Sequence, residues 1–146
     1  MIKFIIPTKP VTKKNSQQII PITTKTGKIR HIPIPSADYK KFEKECLPYI
    51  NRVKAEIGVI NYPINLECVF FVEKKLRYDL SNLLNAIDDA LVHSGLILDD
   101  NRDIIAGHDF SRVYHDKENP RIEIKITEMS DYTQWKNIKD VQTSLF

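Results

Sequence analysis

Six aspartates, Asp79, Asp88, Asp89, Asp99, Asp100 and Asp103, fall between residues 79 and 103, where the only cation is Arg102. With no cysteine among them and no histidine at ligand spacing, they form a hard oxygen donor set suited to Mg²⁺ or Mn²⁺. Such a cation polarises a phosphodiester and lowers the pKa of a bound water, the chemistry of many nucleases. Each acid also has a plainer reading. Asp79 precedes an apolar helical pattern, where a carboxylate caps free amides and gains from the helix dipole. Asp99-Asp100-Asn101 reads equally as a turn.

The element that must position these acids is a helix. Leu80, Leu83, Leu84, Ile87 and Leu91 recur at helical spacing and Gly95 closes the pattern, which turns Ser81, Asn82, Asn85, Asp88, Asp89 and Val92 toward the other faces. A helix from 80 to 94 is about 22 Å long at ~1.5 Å per residue. The six residues 95–100 reach at most about 20 Å when fully extended. Asp79 and Asp100 of one chain therefore start at opposite ends, and doubling back is barely possible. Two copies packed antiparallel bring Asp100 of one beside Asp79 of the other, making two equal sites about one twofold axis. Metal binding is accordingly expected to depend on a homodimer.

The rest of the chain has the opposite charge. Residues 1–60 carry twelve Lys and Arg against four Asp and Glu, a contrast hidden within a net charge of +3 over 146 residues. A basic half facing an acidic cluster suits a protein that holds a polyanion and sets divalent cations against it, although two solvated faces of opposite sign would give the same count. Lys13, Lys14, Asn15, Gln17, Lys25, Lys28 and Arg30 are the candidate phosphate contacts, non-specific because no recognition-helix signature accompanies them. Cys46 and Cys68 lack metal or redox spacing and read as small buried hydrophobes in a reducing cytoplasm. His31, His93, His108 and His115 show no ligand pairing; His108, beside Asp109, reads as structural. No apolar run is long enough for a membrane span or a signal peptide.

Strands are expected over 2–6, 64–72, 104–110 and 121–126, with a hairpin of 18–22 and 28–32 around a Thr24-Lys25-Thr26-Gly27 turn. Ser36 is the expected N-cap of a helix reaching Ile57, kinked or interrupted by Pro48. This order predicts an α+β domain, a small mixed β-sheet with helices packed on one face, spanning residues 1–129. Residues 130–146 lose periodicity and read as an extension.

The combination Asp79, Leu80, Asn82, Leu83, then Asp89, Ala90, Leu91, Gly95, then Asp99, Asp100 resembles the RusA-like crossover junction endodeoxyribonucleases, the Holliday junction resolvases often carried by prophages. The basic KPVTKKNSQ loop and a closing strand near 121–126 extend the resemblance over about residues 1–128. The resemblance implies an intertwined homodimer that binds four-way DNA junctions and makes paired nicks in recombination, repair or phage replication. It implies Mg²⁺ or Mn²⁺ held by Asp79 and Asp100, with Asp99 adjacent and Asp89 and Ser81 as further ligand positions. Two residues depart from the pattern. Ser81 stands where the family has a second acid of an Asp-x-Asp-Asn motif, and Asn85 replaces a lysine that could stabilise developing phosphorane charge. Asp88 and Asp89 together offer a compensating carboxylate, the family position matching Asp89 being already acidic and Asp88 an additional acid. The departures keep open a non-catalytic junction-binding accessory protein as the alternative. A metal-binding regulator with no DNA partner is opposed by the basic front half.

The chain closes on Gln142, Thr143, Ser144, Leu145, Phe146, which looks like the bacterial sliding-clamp-binding pentapeptide. Leu145 and Phe146 would fill an apolar pocket on the clamp while Gln142 sets direction by hydrogen bonds. The other reading has Leu145 and Phe146 packing on their own domain.

Overall fold

The computed structural model describes residues 1–12 and 17–129. In chain order the elements are β1 (Ile2–Ile6), β2 (Gln17–Thr23), β3 (Ile29–Pro35), α1 (Ala37–Ile57), β4 (Ile64–Val72), α2 (Leu80–His93), β5 (Ile105–Gly107), β6 (Arg112–His115) and β7 (Arg121–Glu128). The domain is α+β, as the pattern predicts.

Alternation decides the sheet. Leu66, Cys68 and Phe70 of β4 point to one side, where Ile122, Ile124 and Ile126 of β7 and Ile6 of β1 join them, all buried. β4 is central. β7 runs antiparallel along one edge of it, with Phe70 opposite Ile122 and Leu66 opposite Ile126, and β1 lies antiparallel beyond β7. Along the other edge of β4 lie β5 and then β6, both parallel to it, which makes the sheet mixed. β2 and β3 form a separate two-stranded hairpin.

Both helices cover the apolar side. α1 buries Tyr39, Phe42, Cys46, Ile50 and Val53, spaced to form one stripe, and α2 buries Leu83, Ala86, Ile87, Ala90 and Leu91. All of them belong to one core with the inner sheet residues. Burying a large aliphatic side chain contributes about 1.5–3 kcal/mol, so a one-residue slip of β4 would forfeit several such terms at once. Both thiols are buried, and burial pushes Cys46 up to about 12 and Cys68 well above its usual range, so neither supplies a thiolate. The opposite sheet face is polar: Lys125 pairs with Glu67, and the Arg121 guanidinium lies 3.6 Å from the Phe71 ring centroid.

Three expectations change. α1 runs through Pro48 without interruption. Pro48 lies on the exposed side, so the carbonyl it leaves without a donor can be solvated. The strand expected over 104–110 is only Ile105–Gly107, because His108–Ser111 form a turn; pairing with β4 resumes in β6, which the sequence reading missed. Asp88, expected on a polar face, is buried at 8% exposure. The hairpin strands run longer than expected, β3 reaching Pro35, and β7 reaches Glu128, whereas Ser36 caps α1 by accepting the Tyr39 N–H at 3.2 Å and β4 spans its full expected length.

Candidate active site

Asp79 caps α2. Its Oδ1 accepts the Ser81 N–H at 2.9 Å and its Oδ2 accepts the Asn82 side-chain amide at 3.3 Å, which fixes the carboxylate at an exposed helix entrance. The capping reading of the sequence is thus correct, and it leaves lone pairs on both oxygens. Ser81 and Asn85 are exposed on the first two turns, and Asp89 is half-buried further along.

The second acidic group sits beyond the other end of α2. Gly95 takes a positive φ of 76°, and the Leu96 N–H returns to the Leu91 carbonyl. The Leu98 N–H then donates to the Ile60 carbonyl, and the Ile60 N–H donates to the Leu96 carbonyl. The Asp99–Asp103 turn therefore hangs from a segment pinned to the C-terminal end of α2. Asp99 organises the turn by accepting the Asp100 N–H and the Asn101 side-chain amide, each at 2.8 Å. The Asp100 amide hydrogen bond, and next the Asn101 one, hold the Asp99 carboxyl below its usual range, which keeps it ionised for a hard cation.

Asp79 stands at the entrance of α2, and the Asp99–Asp103 turn follows its C-terminal end. α2 is 14 residues, about 21 Å at ~1.5 Å per residue. Among the described residues no three Asp, Glu, His or Cys side chains gather into a metal-holding group. The donor chemistry of the acids fits Mg²⁺ or Mn²⁺.

Asp88 and His108 form a unit that the sequence reading did not join. The His108 Nδ1 lies 2.9 Å from the Leu66 carbonyl and its Nε2 lies 3.0 Å from Asp88 Oδ2. A carbonyl only accepts, so Nδ1 carries hydrogen. The Nε2–Oδ2 contact then needs one more proton, held by the imidazole or by the carboxyl. Burial raises the Asp88 pKa despite the histidine. For His108 burial acts downward, but the Asp88 hydrogen bond and charge outweigh it and the net shift is upward. With Asp88 tied to His108, the additional carboxylate is turned inward rather than offered beside Asp89. The period of the apolar stripe could have located Asp88: it lies five residues after Leu83 and three before Leu91, on the rim of the buried face.

The basic candidates divide. Lys25, Lys28 and Arg30 are exposed at the tip of the β2–β3 hairpin, as expected. Lys13, Lys14 and Asn15 lie outside the described residues, as do Gln142, Leu145 and Phe146; Gln17 starts β2. Lys74, Lys75 and Arg77, all exposed, immediately precede Asp79 and were missed because Glu67 and Glu73 nearly cancel them in a segment sum. Beside them an open cleft of about 860 Å³ runs between residues 7–12, the start of α1 and residues 73–78.

The profile of the family described as endodeoxyribonuclease RusA matches residues 7–127. The chain belongs to the RusA endodeoxyribonuclease family. No curated protein matches the chain. Membership in the RusA family makes endonucleolytic chemistry on DNA the frame for this site. The match runs from the loop preceding the basic hairpin through β7, so both acidic groups and the exposed cations fall inside it. Within that frame Ser81 and Asn85 are the positions where the donor set is thinnest. No helix of the described residues is long and apolar enough to cross a membrane.

Proposed function

We propose that the protein is a Mg²⁺- or Mn²⁺-dependent endonuclease that nicks four-way DNA junctions in pairs, as a homodimer. The observation that carries this reading is the Asp79 carboxylate held at an exposed helix entrance directly after Lys74, Lys75 and Arg77, in a RusA-family chain. Cations two to five residues away can hold a phosphate against that carboxylate. A bound divalent cation would polarise the scissile phosphodiester and lower the pKa of the attacking water. The chain's part is to place donors. Asp79 presents oxygens locked by Ser81 and Asn82, the Asp99–Asp100 turn presents a second carboxylate pair, and Asp89 and Ser81 complete the shell. Because the two groups stand at opposite ends of α2, a second subunit supplies the missing half of each site.

Residues 1–129 are the nuclease domain in this reading, and 130–146 an extension whose Gln142, Leu145 and Phe146 dock on the bacterial sliding clamp. Action in the cytoplasm, during recombination, repair or phage replication, follows from that substrate and partner. Ser81 and Asn85 favour one rival, a junction-binding protein that does not cut. Labelled four-way junctions incubated with Mg²⁺ separate the two. Symmetric nicks lost in both Asp79→Asn and Asp100→Asn support the enzyme, whereas junction binding without nicking by the unaltered protein supports the rival.

A further inference from the structure

Phe110 is the one non-glycine residue with positive φ, +69°, among the described residues, and it is 70% exposed. It is third in the turn closed by the Ser111 N–H to the His108 carbonyl at 3.2 Å, where a positive φ favours glycine or asparagine. A bulky aromatic there is an outlier, and hydrophobic burial does not explain it. Everything around the ring is anchored. The buried Asn65 side chain accepts the Asp109 N–H at 2.8 Å and donates to the Asp109 carbonyl at 3.3 Å. Buried Ser111 accepts the Cys68 N–H through Oγ at 3.0 Å, and His108 bonds to Leu66 and Asp88. The turn is thus fixed to β4 and α2 on both sides of Phe110. Through His108 the turn is also tied to Asp88 on α2, the helix whose entrance Asp79 caps.

Resting on the branched-DNA reading above, we infer that Phe110 is a base-stacking residue that engages an unstacked nucleobase at the branch point and so sets the register of the nick. Backbone strain persists at functional sites where the surroundings over-determine it, and a rigid, solvent-facing ring is the platform on which a base stacks. Unpairing costs least where pairing is already weakened, as it is at a branch point, so the contact would discriminate junctions from linear duplex.

The test uses the full-length protein and a four-way junction with 2-aminopurine at the branch point. Phe110→Gly relieves the φ and removes the ring. It is expected to melt at the same temperature or higher and to bind linear duplex as before. The 2-aminopurine response should disappear and junction nicking should fall about 10-fold, the effect of one lost base–aromatic stack. Phe110→Trp should restore both signals. A Gly variant that nicks and perturbs 2-aminopurine as the unaltered protein does overturns the inference alone; the strained turn then only breaks the exposed sheet edge. An unaltered protein with no preference for junctions over duplex overturns the inference together with the functional reading beneath it.

Discussion

Replacing Asp88 by Asn should cost little stability, whereas replacing it by Ala should cost a great deal. The Asp88 side chain is 11% exposed and that of His108 25%, so the contact between them is largely shielded from water. His108 donates through Nδ1 to Leu66 and needs a donor at Nε2 when neutral. In Asp88→Asn the new side-chain amide supplies that donor and brings no charge, so the loss is expected to be under about 1 kcal/mol. In Asp88→Ala the Nε2 has no protein partner and a small void opens, which together cost about 2–4 kcal/mol. Urea unfolding of the three proteins in EDTA at pH 6 reads the difference as a shift in midpoint at constant slope. The pH dependence provides a second, independent signature. The folded pair keeps one proton, because both pKa values are raised. The unfolded chain loses its histidine proton near 6.5. Above that value the folded state binds more protons than the unfolded state. Its stability should therefore fall by up to about 1.4 kcal/mol per pH unit, until the pair itself deprotonates. This contribution should vanish in Asp88→Asn, whose histidine is neutral throughout. Equal losses in the Asn and Ala variants, or an unaltered alkaline decline in Asp88→Asn, would refute the shared-proton account.

Lys25→Ala with Lys28→Ala, and separately Lys74→Ala with Lys75→Ala, should each lower the salt dependence of junction binding, by close to ~0.9 per phosphate contact removed; titrations from 50 to 200 mM salt check this, and an unchanged slope takes that pair out of the interface. Metal affinity measured by calorimetry should be lost in a variant made demonstrably monomeric, and retention of tight binding there sinks the shared-site arrangement. Gly95→Ala should destabilise by about 1–2 kcal/mol, because φ is +76° and the added methyl would stand 2.8 Å from the Lys54 Nζ, which otherwise donates to the Ser94 carbonyl; an unchanged melting temperature contradicts the strain argument. Deleting 142–146 should abolish binding to the sliding clamp and spare DNA cleavage, whereas loss of folding would mean that Leu145 and Phe146 pack on the domain.

The amino-acid order by itself determined the elements whose patterns are local. Alternating Leu66, Cys68, Phe70 and Val72 specify β4, and Asp79 with Gly95 delimits α2, because caps and periodicity depend only on near neighbours. The same order was enough to show the family, since identity and spacing from Asp79 to Asp100 are linear properties. What it left open depends on distant partners. β6 has too few residues for a pattern of its own and exists through pairing with β4. Pro48 looks like a helix breaker until its exposure shows that its missing donor can be made good by solvent. Asp88 reads as a surface acid because nothing near it in sequence reveals His108, twenty residues on, at 3.0 Å. The strained exposure of Phe110 follows from Asn65 and Ser111 clamping its turn, a set of contacts made only once β4, β5 and β6 are side by side. Local chemistry named the ligands. The tertiary structure decided their mounting, because the α2 cap holds Asp79 and the Leu96–Ile60 and Ile60–Leu98 hydrogen bonds pin the segment from which the Asp99–Asp100 turn hangs.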